Sequence, residues 1–405
     1  MVVAVKELKI LSALSWPMRL QREFLERWHK GRAKLPQPEY PKLDLASVRE
    51  VLDRITVEAQ GDHPLARYVR ETAQAWVTAT WLLEHMGEIG FTEFSTLLYG
   101  RPGDRIAGSE VHNTEAARHF IDVADELMHD PRMAEAEFVI DAETVKREME
   151  ARLDAVFTQH KIKVVVDPDL VAKAAAGPTR VRLRAQTGFS EYDLHQLLEH
   201  EAFVHSLTAL NGREQPHFRS LGLNSPRITA TQEGLAVFAE LATGSIDIAR
   251  MKRISLRILA IDQALKGADF LDVFRFFLET GQSETDSFNS AMRVFRGAPL
   301  GGGDAFTKDT VYLHGLLSVH TFFRWAMREK KLHLARYLFA GKMTLQDAMA
   351  FEPCFEDGSL APPLYLPPWM RRSHGLAGYL AFSLFVNRIR LDRIEQEDLH
   401  PGGWG

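Results

Sequence analysis

His200, Glu201 and His205 are the residues of this chain whose types and spacing best suit metal chemistry; they stand in the hexapeptide His-Glu-Ala-Phe-Val-His. In the zinc-peptidase helix, two histidines four apart project from one face and bind Zn²⁺. The glutamate after the first histidine then serves as general base toward water. Here the histidines are five apart, and on a regular helix their imidazoles would point roughly 140° away from each other. A turn widened to i→i+5 hydrogen bonding returns them to one face, and such π-bulges concentrate at functional sites. Strain of that kind persists where metal binding compensates for it. The spacing thus leaves two readings open. Either His200 is an edge histidine beside an incidental Glu201–His205 i,i+4 pair, or the helix is distorted around a metal. His195 and Glu199 add further ligand-type residues to the neighbourhood.

A metal needs a third protein ligand. In peptidases whose third ligand is a glutamate, it comes from a following helix packed antiparallel to the first. Glu233, near the start of the next helical segment, fits that arrangement, and Glu240 is a second candidate on the same helix. Glu233 could equally be a first-turn acid favoured by the helix dipole. Gly234 beside it costs about 1 kcal/mol in a helix interior relative to Ala, which points to close approach of two helices.

The elements that must position these residues are mostly helical. Apolar residues recur at three- and four-residue spacing over 18–30, 46–60, 64–87, 113–129 and 134–158. Pro64 after Asp62-His63 suits a helix entry. The texture changes at 161, where Lys-Ile-Lys-Val-Val-Val predicts a strand. Arg180 to Ala185 alternates basic and apolar residues as a half-buried strand does. Ser190 caps a helix over about 191–211 that carries the hexapeptide, and Asn211-Gly212 ends it. Further helices are expected at 229–243, 246–265, 269–280, 308–330, 332–338 and 376–398, with a glycine-rich loop at 297–303. Arg250 to Arg253 and Arg328 to Lys331 read as solvated helix faces, and Trp369 to Arg372 as a packed turn after two prolines. The expected fold class is mainly α with a small β-sheet (α+β). It divides into a helical region over 1–160, a core over 161–330 and a helical C-terminal region over 331–405.

With 405 residues, 45% apolar and 25% charged, the composition is that of an ordinary globular protein. A net charge of −5 with interspersed signs gives no field to recruit nucleic acid or an anionic membrane. Cys354 is the only cysteine, so an intramolecular disulfide and a multi-cysteine metal site are excluded, and any metal falls to His and carboxylates. Lys6 and Lys9 interrupt the N-terminal apolar stretch, and no run reaches the roughly 20 apolar residues of a membrane span. The expected location is the cytoplasm.

Taken together, several motifs resemble a known family. They are Leu98-Tyr99-Gly100-Arg101-Pro102, His200 to His205, Asn211-Gly212, Gln232-Glu233-Gly234-Leu235-Ala236, Arg293 to Gly297, and Phe306-Thr307-Lys308-Asp309 with Tyr312. The chain resembles, over most of 35–390, the family named after its Gln-Glu-Gly-Leu-Ala (QEGLA) motif, associated in bacteria with modulation of flavohaemoglobin expression. Its animal relatives include the microtubule-associated tyrosine carboxypeptidases, zinc metallopeptidases with a His-Glu-x-x-x-His motif. The resemblance implies a zincin-like metallopeptidase core with one Zn²⁺ per chain held by His200, His205 and Glu233. Glu201 would take a proton from water and return it to the leaving amine.

The implied reaction is hydrolysis at the C-termini of peptides or proteins, with tubulin as a substrate only by analogy with the animal relatives. The bacterial name keeps a rival reading open, a zinc-binding regulatory protein without peptidase turnover. A carboxypeptidase also needs a cation for the substrate's terminal carboxylate and a donor for the oxyanion. Arg293, Arg296, Lys308 and Tyr312, flanking the glycine-rich loop, are the candidates, and the strand at 180–185 is expected to offer backbone groups to an extended peptide.

Overall fold

A computed structural model describes residues 1–130, 132, 139–170 and 173–389. Helices dominate, and several begin where the sequence places a cap. His63 accepts a hydrogen bond from the Leu65 amide at the head of the helix Pro64–Glu84. Asp141 accepts from the amides of Glu143 and Thr144 and starts the helix Ala142–Val156; the expected earlier turn at 134–138 lies outside the described residues. Several helices go beyond the expected set, two of them longer than two turns. Phe91–Tyr99 sits between Gly90 and Gly100, and Glu284–Phe295 follows the Ser283 cap.

The sheet has three strands in the order β1-β3-β2, with β1 Lys163–Asp167, β2 Ala174–Gly177 and β3 Arg180–Arg184. β1 runs parallel to β3, pairing Val165 with Arg182, and β2 runs antiparallel, pairing Ala175 with the same Arg182. Val181 and Leu183 point into the core while Arg180 and Arg182 face out, as the alternation requires. Because β3 is central, both of its edges are already paired. The expectation that 180–185 serves an extended peptide is therefore corrected: the edge strands are β1 and β2.

The largest apolar cluster draws on all three expected regions, including Tyr68, Val145, Leu183, Phe238, Phe323, Phe339 and Leu380. A second cluster forms where the apolar face of Phe270–Glu279 (Phe270, Val273, Phe274, Phe277) meets Phe24 and Phe288. Each such side chain contributes about 1.5–3 kcal/mol on burial.

One helix crossing fixes the site. Thr229–Ala242 packs against Thr310–Arg328 with Gly234 facing Gly315. A Cβ built on Gly234 would lie 2.2 Å from the Gly315 carbonyl carbon, and one on Gly315 would lie 2.3 Å from the Ala230 oxygen. The close approach expected at Gly234 thus exists, but its partner is the 310–328 helix rather than the one bearing the histidines. Backbone atoms on both sides cannot yield as a side chain would. Gly234→Ala is expected to lower unfolding stability in urea by about 3 kcal/mol. Gly378→Ala, in an exposed stretch of the helix Ser373–Val386 with nothing within 4 Å, is expected to be neutral or stabilising. Equal losses in both would show that the crossing carries no special constraint.

Candidate metal centre

The helix expected over 191–211 forms as three continuous stretches: α-helical Glu191–Leu197, π-helical Leu198–Ser206 and α-helical Leu207–Arg213. The widening falls on the hexapeptide. It brings the His200 and His205 rings to a centroid separation of 4.9 Å, edge to face. Neighbouring contacts hold the strained segment. Ala202, Phe203 and Val204 are buried, the Thr208 hydroxyl donates to the Val204 carbonyl at 2.7 Å, and the Ser206 hydroxyl donates to the Gly177 carbonyl of β2 at 2.8 Å.

Glu233 arrives from Thr229–Ala242 and completes the cluster. Its Oε2 lies 3.5 Å from His200 Nε2 and 3.6 Å from His205 Nε2, and one ligand atom from each residue lies within 4.8 Å of the others. Ligand atoms about 2.0–2.2 Å from a tetrahedral zinc stand about 3.3–3.6 Å apart. Two of the three separations match that spacing, and the donor set of two imidazoles and one carboxylate is one that zinc prefers. The residues fit the ion.

Glu240, the other candidate ligand, has a different place. Fully buried, it receives His200 Nδ1 at 2.7 Å and is clamped from behind by the Arg250 guanidinium, whose Nη2 lies 2.7 Å from Oε1. It therefore turns His200 so that Nε2 faces the cluster, the usual role of a carboxylate behind a metal-binding imidazole. Arg250, expected on a solvated face, is instead largely buried as the partner of Glu240. Glu240→Gln keeps the shape but weakens both contacts. Zinc affinity, read by competition with a chromogenic chelator, is expected to fall roughly 10- to 100-fold; unchanged affinity would mean that Glu240 only packs.

The electrostatics favour a cation between the three side chains. Burial alone would depress the His200 imidazole, yet hydrogen bonds with Glu233 and Glu240 and the charge of Glu201 raise it to about 10. Burial pushes Glu233 up, but Lys308 and the two histidines outweigh it and hold the carboxyl well below the usual range.

The cluster lies in a cleft of about 550 Å³. Glu201, Lys308 and Tyr312 also line it, as do Ala174, Ala175 and Ala176 of β2 and residues 8–12. Lys308 Nζ stands 3.2 Å from Glu233 Oε1 and 5.0 Å above the Tyr312 ring. Arg293 and Arg296 do not line the cleft. Arg293 makes a two-pronged contact with Asp309, at 2.6 and 2.8 Å, and Arg296 lies over the Phe306 ring at 5.3 Å. Both brace the turn that presents Lys308 and Tyr312, because Asp309, one residue after Lys308, claims the guanidinium that the sequence left free.

Among the cleft residues that the sequence left unmarked are Asn224, Ser225 and Lys342. Lys342 is 6% exposed and donates to Asn224 Oδ1 at 2.7 Å; burial brings its ammonium down to about 8, with Glu233 and Glu201 pulling the other way. Ser225 Oγ and Gln232 Nε2 are buried in the cleft wall without hydrogen-bond partners among the described residues. No local pattern marks 224, 225 or 342, and only tertiary packing brings them beside Gln232 of the Gln-Glu-Gly-Leu-Ala motif.

Two imidazoles and a carboxylate converging in a cleft, with a further glutamate alongside, define the class of site: a candidate metal centre on paired helices. The chain matches the family model of the microtubule-associated tyrosine carboxypeptidase over residues 22–388 and belongs to that family. No curated protein matches it. Among solved structures, the chain is similar to a putative lipoprotein from Colwellia psychrerythraea. The TM-score is 0.46 and the identity 12%, over 83% of this chain and 73% of the other. Among the described residues no helix is long and apolar enough to cross a membrane.

Proposed function

We propose that this chain is a zinc metallocarboxypeptidase with a zincin-like core, acting on the C-termini of peptides or proteins. The observation that carries the reading is the π-helical stretch, which sets His200, His205 and Glu233 around one point with Glu201 in the same cleft. His200, His205 and Glu233 would hold the ion. Zinc, when bound, supplies Lewis acidity that polarises a carbonyl and makes water easier to deprotonate.

The chain's own residues do the rest. Glu201 has no ion-pair or hydrogen-bond partner among the described residues, so its carboxylate is free to accept a proton from the attacking water. It returns that proton to the amine nitrogen as the C–N bond breaks. Tyr312, beside Lys308, offers a hydroxyl to the carbonyl oxygen as negative charge develops there. β2 has no strand on its outer edge among the described residues, and its backbone can pair with an extended peptide in the cleft.

Release of C-terminal residues from a peptide library by the wild-type chain, followed by mass spectrometry, tests this reading. Loss of release in Glu201→Gln with zinc retained would support it. Wild type and variant equally inert across the library would favour a zinc-binding regulatory protein without turnover.

A further inference from the structure

Three lysines line the cleft: Lys9, Lys308 and Lys342. Lys9 is exposed, and Lys308 is engaged by Glu233. Lys342 differs from both. It is buried, and its ammonium meets only the neutral Asn224 oxygen, with no carboxylate within ion-pair distance among the described residues. A buried cation without a counter-ion is costly, and one that faces a cleft gains its compensation when an anion enters.

The surroundings are donors as well. Ser225, next to Asn224 in the chain, has a buried hydroxyl with no partner among the described residues, and the exposed Asn224 turns its oxygen to Lys342, leaving its amide nitrogen at the cleft. Ammonium, hydroxyl and amide N–H₂ together form a set with donors to spare, and the Asn224 oxygen takes only one of the ammonium's three N–H groups. A carboxylate, which only accepts, supplies what is missing.

We propose that Lys342, with Asn224 and Ser225, receives the terminal α-carboxylate of a peptide chain lying in the cleft. The assignment rests on the carboxypeptidase reading and adds to it the group that makes the site selective for chain ends. Lys342 takes the role that the sequence offered to Arg293, Arg296 and Lys308; the two arginines are engaged outside the cleft, and Lys308 is engaged by Glu233. Its place in the cleft with Glu201 and Glu233 puts the receptor beside the residues proposed for the chemistry.

Binding, measured apart from turnover, tests the proposal. The probe is an N-terminally fluorescein-labelled hexapeptide pool, randomised at its last two positions and made both as free acid and as C-terminal amide. It is titrated against the full chain carrying Glu201→Gln, loaded with zinc. The free acid is expected to bind at least roughly tenfold more tightly than the amide. Adding Lys342→Met, which keeps the apolar stem, is expected to weaken the acid roughly 10- to 100-fold and leave the amide unchanged. Lys342→Arg should retain part of the preference, and Ser225→Ala should lose a smaller share of it.

Acid-over-amide preference that survives Lys342→Met would overturn the assignment, and so would a parallel loss of acid and amide binding. Wild-type chain on the same pools separates this from the broader reading. Residue release with a Lys342-independent preference sinks only the receptor. A Lys342-dependent preference without release sinks only the peptidase.

Discussion

Glu201→Gln is expected to lower kcat for release of a C-terminal residue by about 10²- to 10⁴-fold while leaving zinc content and peptide affinity close to wild type. The substitution keeps shape and removes the one carboxylate in the cleft that neither joins the three-atom cluster nor pairs with a cation among the described residues. An amide cannot accept the water's proton or return it to the leaving nitrogen. The loss should therefore appear in kcat more than in KM, since the interaction is made in the transition state. A fall confined to KM would assign Glu201 to substrate binding. A fall accompanied by loss of zinc would make it a structural support of the histidine helix.

His205→Ala is expected to abolish both zinc retention and activity. With His205 gone, His200 and Glu233 remain as two ligands, and the open π-helical face admits water in place of an imidazole. Structural zinc sites in peptides are worth about 10–16 kcal/mol over four ligands, so one ligand accounts for roughly 3 kcal/mol, or more than 100-fold in affinity. The effect also appears in thermal stability. Wild type should gain about 4 kcal/mol when zinc is present at 1,000 times its Kd, and a chelator should remove that gain. His205→Ala should show little difference with or without chelator. An equal thermal shift in wild type and variant would place the ion elsewhere.

The candidate site was legible in the sequence where a single physical requirement acted on adjacent residues. Five-residue spacing between His200 and His205 allows a shared metal only if the helix widens between them, and the π-helical stretch Leu198–Ser206 lies there. The need for a third ligand on the next helix offered both Glu233 and Glu240, and the family resemblance pointed to Glu233. The strand at Arg180–Arg184 was legible through its alternation, whereas β2, Ala-Ala-Ala-Gly, carries no strand pattern and exists through its pairing with β3.

Charges were the hardest to place. Arg250 looks like one more basic residue on a helix face until Glu240 packs beside it. Lys342 is an isolated lysine between short helices, and its burial depends on contacts with Tyr68, Leu221 and Asn224, all distant in the chain. Arg293 and Arg296 stood in the right segment, but Asp309 and the Phe306 ring draw them behind the cleft wall. Periodicity reports which face of a helix is apolar; it does not report which buried acid a given cation will find.

The metal content of the purified chain is the most direct test of the centre formed by His200, His205 and Glu233. Elemental analysis of wild type after extensive dialysis, beside His205→Ala treated identically, is expected to give about one zinc per chain for the first and almost none for the second. Wild type without bound zinc, or the same zinc content in both proteins, would contradict a metal held at the widened helix.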